Sequence, residues 1–334
     1  MKMKKFLNAP ENITDEVLEG LVSAYPQKIK LESGRIVVRA TPKSKDKVAV
    51  ITMGGSGHEP ALSGFVGEGM LDASVAGDIF AAPNAMAVLA ALRKFKREAG
   101  ILMVILNHAG DMMNGNMAVK LAQKEGIKVK PIYVAEDISA GLDAPKSDRR
   151  GLAGCIPLIK VAGAAAEEGK SLDEVFEIAE KFNARIATLA VAMSGCTHPQ
   201  NGLPITELAD DEMEIGMGQH GEGGGGRSKI LTADKTAEIM FGDLAKAVEL
   251  KSGEDAYLII NGTGATTPME MAIVFRAVKK YAEAMGANIV GGIIDEILTV
   301  QEMAGFQMIL CVVDAESKKY LEARSNAPYW TSIG

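Results

Sequence analysis

The chain has 334 residues, 47% of them apolar and 24% charged, enough for one large or two ordinary globular domains. Its formal net charge of −7 argues against a nucleic-acid surface, and no uninterrupted apolar run is long enough to span a bilayer. The three cysteines, Cys155, Cys196 and Cys311, are far apart and odd in number, which fits a reducing cytoplasm and not a disulfide scaffold.

The basic start Lys2–Lys5 is followed by Phe6-Leu7-Asn8-Ala9-Pro10, which gives no apolar core for a signal peptide. Thr14 is placed to cap a helix through Val17, Leu18, Leu21 and Val22, ended by Pro26. Ile36–Val38 and Val48–Thr52 read as strands, rich in β-branched residues, and the second runs straight into Gly54-Gly55-Ser56-Gly57-His58-Glu59-Pro60. Ile101–Leu106 is a fully apolar strand that empties into a polar loop from Asn107 to Asn114. A helix over Met117–Lys124 and a strand over Val129–Val134 follow. This strand–helix–strand alternation predicts a mainly parallel sheet covered by helices.

Beyond the polar joint Asp148-Arg149-Arg150-Gly151, two helices are expected around Leu158–Ala166 and Leu172–Phe182. The second half repeats the pattern, with strands at Ile186–Met193, Ala256–Ile260, Asn288–Gly291 and Met308–Val313 and a helix from Met269 to Met285. The fold class is therefore α/β, as two domains with largely parallel or mixed sheets flanked by helices. A boundary near residue 185 gives an N-terminal domain of 1–185 and a C-terminal domain of 186–334.

The chain holds only four histidines, and two sit in glycine-rich turns: His58 after Gly54–Gly57, and His220 in Gly216-Met217-Gly218-Gln219-His220-Gly221-Glu222-Gly223. A third, His108, stands three residues before Asp111. Glycine lets backbone approach a small ligand closely. Nucleotide phosphates fit these turns poorly. A P-loop needs Lys and Ser/Thr directly after its glycines, whereas Gly57 precedes His58-Glu59-Pro60 and Gly226 precedes Arg227-Ser228-Lys229. A small polar ligand held on backbone amides of Gly55, Ser56 and Gly57 fits better, with His58 donating a hydrogen bond and Asp111 accepting a hydroxyl proton. Position alone also allows Asp111 to be a helix cap or Asx turn, and His220 to be a turn histidine satisfied by backbone. Cys196 lies two residues from His198, but i,i+2 side chains of an extended segment point to opposite faces. That makes Cys196 a small buried residue rather than an activated thiol.

Several segments, in order over nearly the whole chain, resemble the dihydroxyacetone-binding part of dihydroxyacetone kinases. They are Gly54–Pro60, Gly77-Asp78-Ile79-Phe80, Gly110-Asp111, Arg149-Arg150-Gly151, Gly195-Cys196-Thr197, Glu214–Glu222 and Gly264-Ala265-Thr266. The resemblance implies a two-domain α/β fold and a homodimer. It implies that the imidazole of His220 adds to a ketone carbon as a covalent hemiaminal, which admits a small ketose and excludes glycerol. It makes Asp111 the base for the terminal hydroxyl, His58 a hydrogen-bonding partner of the ketose, and Gly55 and its neighbours the backbone that binds hydroxyls. No all-helical nucleotide-binding domain follows Trp330, so this chain is expected to carry no cofactor itself. ADP/ATP and Mg²⁺ are then expected on a separate kinase subunit, recharged by a phosphotransferase-system protein from phosphoenolpyruvate. Neither nucleic acid nor membrane is an expected partner.

The chain also departs from the family pattern. Leu106 and Ala109 stand where a ligand-facing Lys and a Thr are usual, and Ala81-Ala82 replaces Thr-Ser. Each lost buried hydrogen-bond partner shifts recognition by roughly 1–3 kcal/mol. Either His108 compensates or the ligand is another small ketose, such as a tetrulose. A binding-only ketose sensor or co-activator is the alternative to a kinase subunit. The run Gly223–Gly226 suggests a looser lid or an altered partner surface.

Overall fold

The computed structural model describes residues 4–334, so part of the basic start Lys2–Lys5 lies outside the described residues. The chain forms two compact α/β units that interleave in sequence. One comprises Phe6–Val134, Cys155–Asn183 and Ala315–Gly334; the other holds Lys4 and Lys5, Ala135–Gly154 and Ala184–Asp314. The chain changes unit at Asn183/Ala184, and three stretches, Lys4–Lys5, Ala135–Gly154 and Ala315–Gly334, lie across a single cut near 185.

The first unit contains β1 (Ile29–Glu32), β2 (Ile36–Arg39), β3 (Ala49–Ser56), β4 (Ala73–Ile79), β5 (Ile101–Leu106) and β6 (Val129–Val134), in sheet order β1-β2-β4-β3-β5-β6. Strands β4, β3, β5 and β6 are parallel, and β1 and β2 add an antiparallel edge. Helices α1 (Ile13–Ala24), α2 (Ala85–Lys94), α3 (Ala109–Lys124), α4 (Cys155–Glu168) and α5 (Leu172–Asn183) belong to this unit. Every residue of β5 is buried, as a central parallel strand covered on both faces requires. Helix α4 is buried from Cys155 to Ala166, and its Lys160 spends its ammonium on the carbonyls of Tyr320 (2.6 Å) and Ala323 (2.7 Å) at the end of the helix Ala315–Glu322. Asp72 ties the sheet to the loop before β3, accepting from Lys43 Nζ (2.8 Å) and from the Val50 N–H (2.8 Å).

Two boundaries differ from expectation. Thr14 is not a cap: α1 begins at Ile13 with Asn12 at the cap position, and Thr14 is buried in the first turn. Helix α3 starts at Ala109, eight residues before Met117, so the polar run after β5 is mostly helix. Among the described residues no helix is long and apolar enough to cross a membrane.

The second unit contains β7 (Ile186–Ala192), β8 (Glu212–Ile215), β9 (Arg227–Lys229), α6 (Ala233–Ala247), β10 (Asp255–Gly262), α7 (Pro268–Ala284), β11 (Asn288–Asp295) and β12 (Gly305–Val313), in sheet order β11-β10-β12-β7-β8-β9. Only β10 and β11 are parallel, joined through α7. The other pairs are antiparallel, so the mainly parallel sheet predicted from alternation is found in the first unit alone. Met240, Phe241 and Leu244 of α6 and Val274 and Val278 of α7 pack with Leu258, Ile260, Met308 and Leu310 as one core. A reciprocal Thr267–Glu270 capping box starts α7.

Glu136 is the buried anchor of this unit. It accepts N–H bonds from Leu152 (2.9 Å) and Gly154 (2.9 Å) and a hydroxyl bond from Thr188 (3.2 Å), fastening the 150–154 segment to β7. Burial pushes its carboxyl up to about 7; the Asp137 charge adds to the rise and the hydrogen bonds oppose it. The folded protein therefore holds a proton that the unfolded chain releases near its ordinary value of 4.5. Stability is expected to fall as pH rises from about 4.5 to about 7 and to level off above, by an amount on the order of 3 kcal/mol. Glu136→Gln should flatten that slope. Urea denaturation of both proteins at intervals between pH 4.5 and 8 checks it, and an unchanged slope in the variant would assign the pH dependence elsewhere.

Candidate functional site

In the first unit the chemistry-bearing residues lie where parallel strands end. Strand β3 runs through Gly54 and Gly55 to Ser56 and delivers the turn to His58; its parallel neighbour β5 delivers Asn107, His108 and Asp111. The carboxyl ends of parallel strands are where α/β sheets bind ligands. A Cβ on Gly55 would lie 2.7 Å from the Ala81 backbone nitrogen, so the two backbones touch only because residue 55 is glycine. Gly57 has φ +100°, and its absent side chain leaves room for the Phe80 ring. That ring packs against the His58 imidazole at 4.9 Å between centroids. Ala82 in turn lies against Gly110, where a Cβ would be 3.2 Å from the alanine methyl. These contacts bring Gly55, Gly57, His58, Ala81 and Ala82 together with the start of α3 at Gly110 and Asp111.

Asp111 is buried in the first turn of α3, where the helix dipole favours a carboxylate. It is neither the N-cap nor in a loop: the N-cap residue is His108, whose side chain makes no cap bond. Ser56 donates its hydroxyl to the Gly77 carbonyl at 2.8 Å, so that proton stitches β3 to β4. Both carboxylate oxygens of Glu59 accept from the Gly57 N–H at 3.1 Å, and burial pushes that carboxyl up while the backbone bonds oppose the rise. A cleft of about 410 Å³ opens beside Gly54, Gly55 and Glu59, walled by α1 and Tyr329. Neither His58 nor Asp111 lines it.

In the second unit His220 sits in a closed turn after β8. The Gly218 N–H donates to the Glu222 carbonyl (2.6 Å) and the Gly221 N–H to the Gly218 carbonyl (3.1 Å). Glu222 folds back on the histidine. Its Oε2 accepts the His220 N–H at 2.8 Å, and its Oε1 lies 3.1 Å from His220 Nδ1. Burial raises the Glu222 carboxyl, and the His220 contacts and backbone bonds more than reverse this, holding it at about 2. Arg150 clamps the turn from behind. Its guanidinium donates to Asp137 Oδ2 (2.7 Å), Ser139 Oγ (2.6 Å), the Gly216 carbonyl (2.7 Å) and the Glu222 carbonyl (3.2 Å).

Gly224 and Gly225 lie so near Gly216 and Ile215 that a Cβ on either would collide with a backbone carbonyl. Cys196 is buried, and desolvation pushes its thiol up to about 12, with Glu302 adding to the rise and Lys5 opposing it. That thiol is no nucleophile. Sequence reasoning missed the Arg150–Asp137–Ser139 clamp and gave Glu222 no role. The doubled arginine and the Asp-x-Ser triplet were the only signals, and neither says which distant carbonyls the guanidinium reaches.

Removing the guanidinium leaves Asp137 buried with its main counter-charge gone. Arg150→Met is expected to cost about 3 kcal/mol or more of stability and to raise amide exchange across residues 216–222. Hydrogen-exchange mass spectrometry reads both, and unchanged exchange in that peptide would remove the clamp role.

Comparison with known proteins shows the family and the fold. The Dak1 domain model matches residues 19–329. The dihydroxyacetone-binding subunit of PTS-dependent dihydroxyacetone kinase 1 from Listeria innocua is 36% identical over 320 residues, covering 96% of this chain and 97% of that one. Among solved structures, the dihydroxyacetone kinase operon co-activator Dha-DhaQ superposes with a TM-score of 0.89 at 33% identity, covering 95% of this chain and 98% of that one. The C. freundii dihydroxyacetone kinase in complex with AMP-PNP and Mg²⁺ superposes with a TM-score of 0.87 at 32% identity; this chain covers 61% of that longer one, which covers 98% of this chain.

Proposed function

Because the chain belongs to the Dak1 domain family, as a full-length relative of dihydroxyacetone-binding kinase subunits, we propose that it binds dihydroxyacetone or a closely related small ketose for phosphorylation. The observation that carries this reading is the closed turn Gly218–Glu222, which presents one imidazole in a fixed orientation. Such a histidine suits covalent capture of a ketone as a hemiaminal, and His220 is the proposed anchor. Asp111, a buried carboxyl in the first turn of α3, is the proposed base for the hydroxyl that becomes phosphorylated. His58, held on Phe80, is the proposed hydrogen-bonding partner of the ketose, and the backbone at Gly55, Ser56 and Gly57 is proposed to take its hydroxyls. His108, at the N-cap of α3, is the proposed substitute for polar groups that Leu106 and Ala109 do not supply.

The phosphoryl group is proposed to come from a separate nucleotide-binding subunit carrying ADP/ATP and Mg²⁺, recharged through a phosphotransferase-system protein. The name of the Listeria relative, a binding subunit of a PTS-dependent kinase matched end to end, supports this arrangement. On this reading the protein works as a homodimer in the cytoplasm. A second reading, a ketose-binding co-activator without kinase function, draws on the likeness to the operon co-activator structure.

Two measurements separate these readings. Dihydroxyacetone labelled with carbon-13 at its central carbon should convert from a ketone to a tetrahedral-carbon NMR signal with the wild-type protein and not with His220→Ala. Absence of the tetrahedral signal with wild type would turn attention to tetruloses or remove the covalent step. With a nucleotide-binding kinase subunit, its phosphotransferase-system recharging protein and phosphoenolpyruvate supplied, Asp111→Ala should keep ligand binding and lose turnover by a factor of about 100 or more. Equal turnover would take Asp111 out of the mechanism. No turnover even with wild type, against retained binding, would favour the co-activator.

A further inference from the structure

Resting on the proposal that His220 captures a ketone, we infer that Glu222 is the positioning residue that fixes His220 in its Nδ1–H tautomer and makes Nε2 the nucleophilic atom. Sequence alone leaves the two ring nitrogens equivalent. The turn geometry distinguishes them. Glu222 Oε1 faces Nδ1 at 3.1 Å, while Oε2 of the same carboxylate takes the His220 backbone N–H at 2.8 Å. A carboxylate offers only acceptors, so Nδ1 has to be the donor, and the neutral ring then carries its in-plane lone pair on Nε2. Glu222 stays ionised throughout the neutral range, since its carboxyl is held at about 2. Arg150 holds the Glu222 backbone carbonyl at 3.2 Å, and glycine at 218 leaves the carboxylate its place, since a Cβ there would strike Glu222 Oε2 and Arg150 Nη1.

The chemical consequence concerns charge. As Nε2 forms its bond to the ketone carbon, the carbonyl π pair moves to oxygen, which takes a proton from solvent. Nδ1 keeps its own proton, so the adduct is an imidazolium facing the Glu222 carboxylate. Glu222 thus orients the nucleophile before addition and stabilises the cation after it, as an orienting carboxylate does for other catalytic histidines. It touches the imidazole and not the ketose.

Glu222→Gln is the discriminating substitution. Gln has one acceptor and one donor. If its carbonyl keeps the His220 N–H, its amide NH₂ faces Nδ1 and forces that nitrogen to accept, which moves the proton to Nε2. The experiment is long-range proton–nitrogen NMR on nitrogen-15 histidine-labelled full-length protein without ligand, with His220→Asn to identify the His220 signals. Wild type is expected to show a protonated Nδ1 and a bare, pyridine-type Nε2, and Glu222→Gln the reverse. With carbon-labelled dihydroxyacetone the variant should lose at least tenfold in adduct formation while its amide spectrum stays native.

A wild-type ring protonated at Nε2 would overturn the inference without any variant. So would a Glu222→Gln protein that forms adduct at the wild-type rate. If the wild-type protein shows the Nδ1–H tautomer but forms no tetrahedral carbon, the covalent reading of the function fails while the tautomer assignment stands on the ligand-free spectrum.

Discussion

The buried pair between Arg150 and Asp137 is the constraint on which the His220 turn depends. Asp137 is fully buried, and a carboxylate in that position is tolerable only when paired and hydrogen-bonded. Its oxygens are used by Arg150, by the Ser139 hydroxyl and by the Ser139 N–H. With the Asp137 end fixed, the remaining guanidinium donors reach the carbonyls of Gly216 and Glu222. Those two carbonyls flank the turn that carries His220. A flat five-donor cation does this and an ammonium does not, because the partners lie in a fork. Glu136, one residue before Asp137, secures the same segment through Leu152 and Gly154, so both ends of the 136–154 stretch are tied before it meets the turn.

Much of the fold was legible because burial writes itself into apolar runs. Ile101–Leu106 reads as a strand without a structure, since a parallel strand buried on both faces needs an unbroken apolar sequence. Helix α7 reads equally well through its period and its Thr267–Glu270 signal. The failures have physical causes. Ala73–Ile79 is β4, but Ala, Ser, Gly and Asp carry little strand preference; the sheet imposes the conformation by pairing it with β2 and β3. Glu212–Ile215 alternates polar and apolar residues over only four positions, and Arg227-Ser228-Lys229 has no apolar residue to mark it as a strand. The early start of α3 was hidden by Gly110, Asn114 and Gly115, poor helix formers that tertiary packing overrides: a Cβ on Gly115 would meet Ile105 at 2.8 Å.

The candidate site was legible as residue types and not as geometry. Two histidines in glycine turns and an aspartate after an apolar strand can be picked out of one sequence. That Glu222 doubles back two residues to His220, and that Arg150 reaches across 66 and 72 positions to two carbonyls, cannot. Glycine was the useful indirect signal, for a different reason from the one first suggested by Gly223–Gly226. Gly216, Gly224 and Gly225 mark where backbone meets backbone and a side chain has no room.

The same logic bears on the alanines at 81 and 82. Hydroxyls at these positions were expected to be missed as hydrogen-bond donors. The structure shows the two residues as packing elements: the backbone of Ala81 lies against Gly55 and Gly77, and the methyl of Ala82 lies against Gly110, next to Asp111. Leu106 is buried in the sheet as the last residue of β5. On the proposed reading, recognition in this unit would fall on the backbone amides of the Gly54–Gly57 turn, on His58 and on Asp111. If the protein binds dihydroxyacetone as proposed, a ketose one carbon longer is the competitor to set against it, since Ala81, Ala82 and Leu106 bring no side-chain hydroxyl or ammonium to this unit.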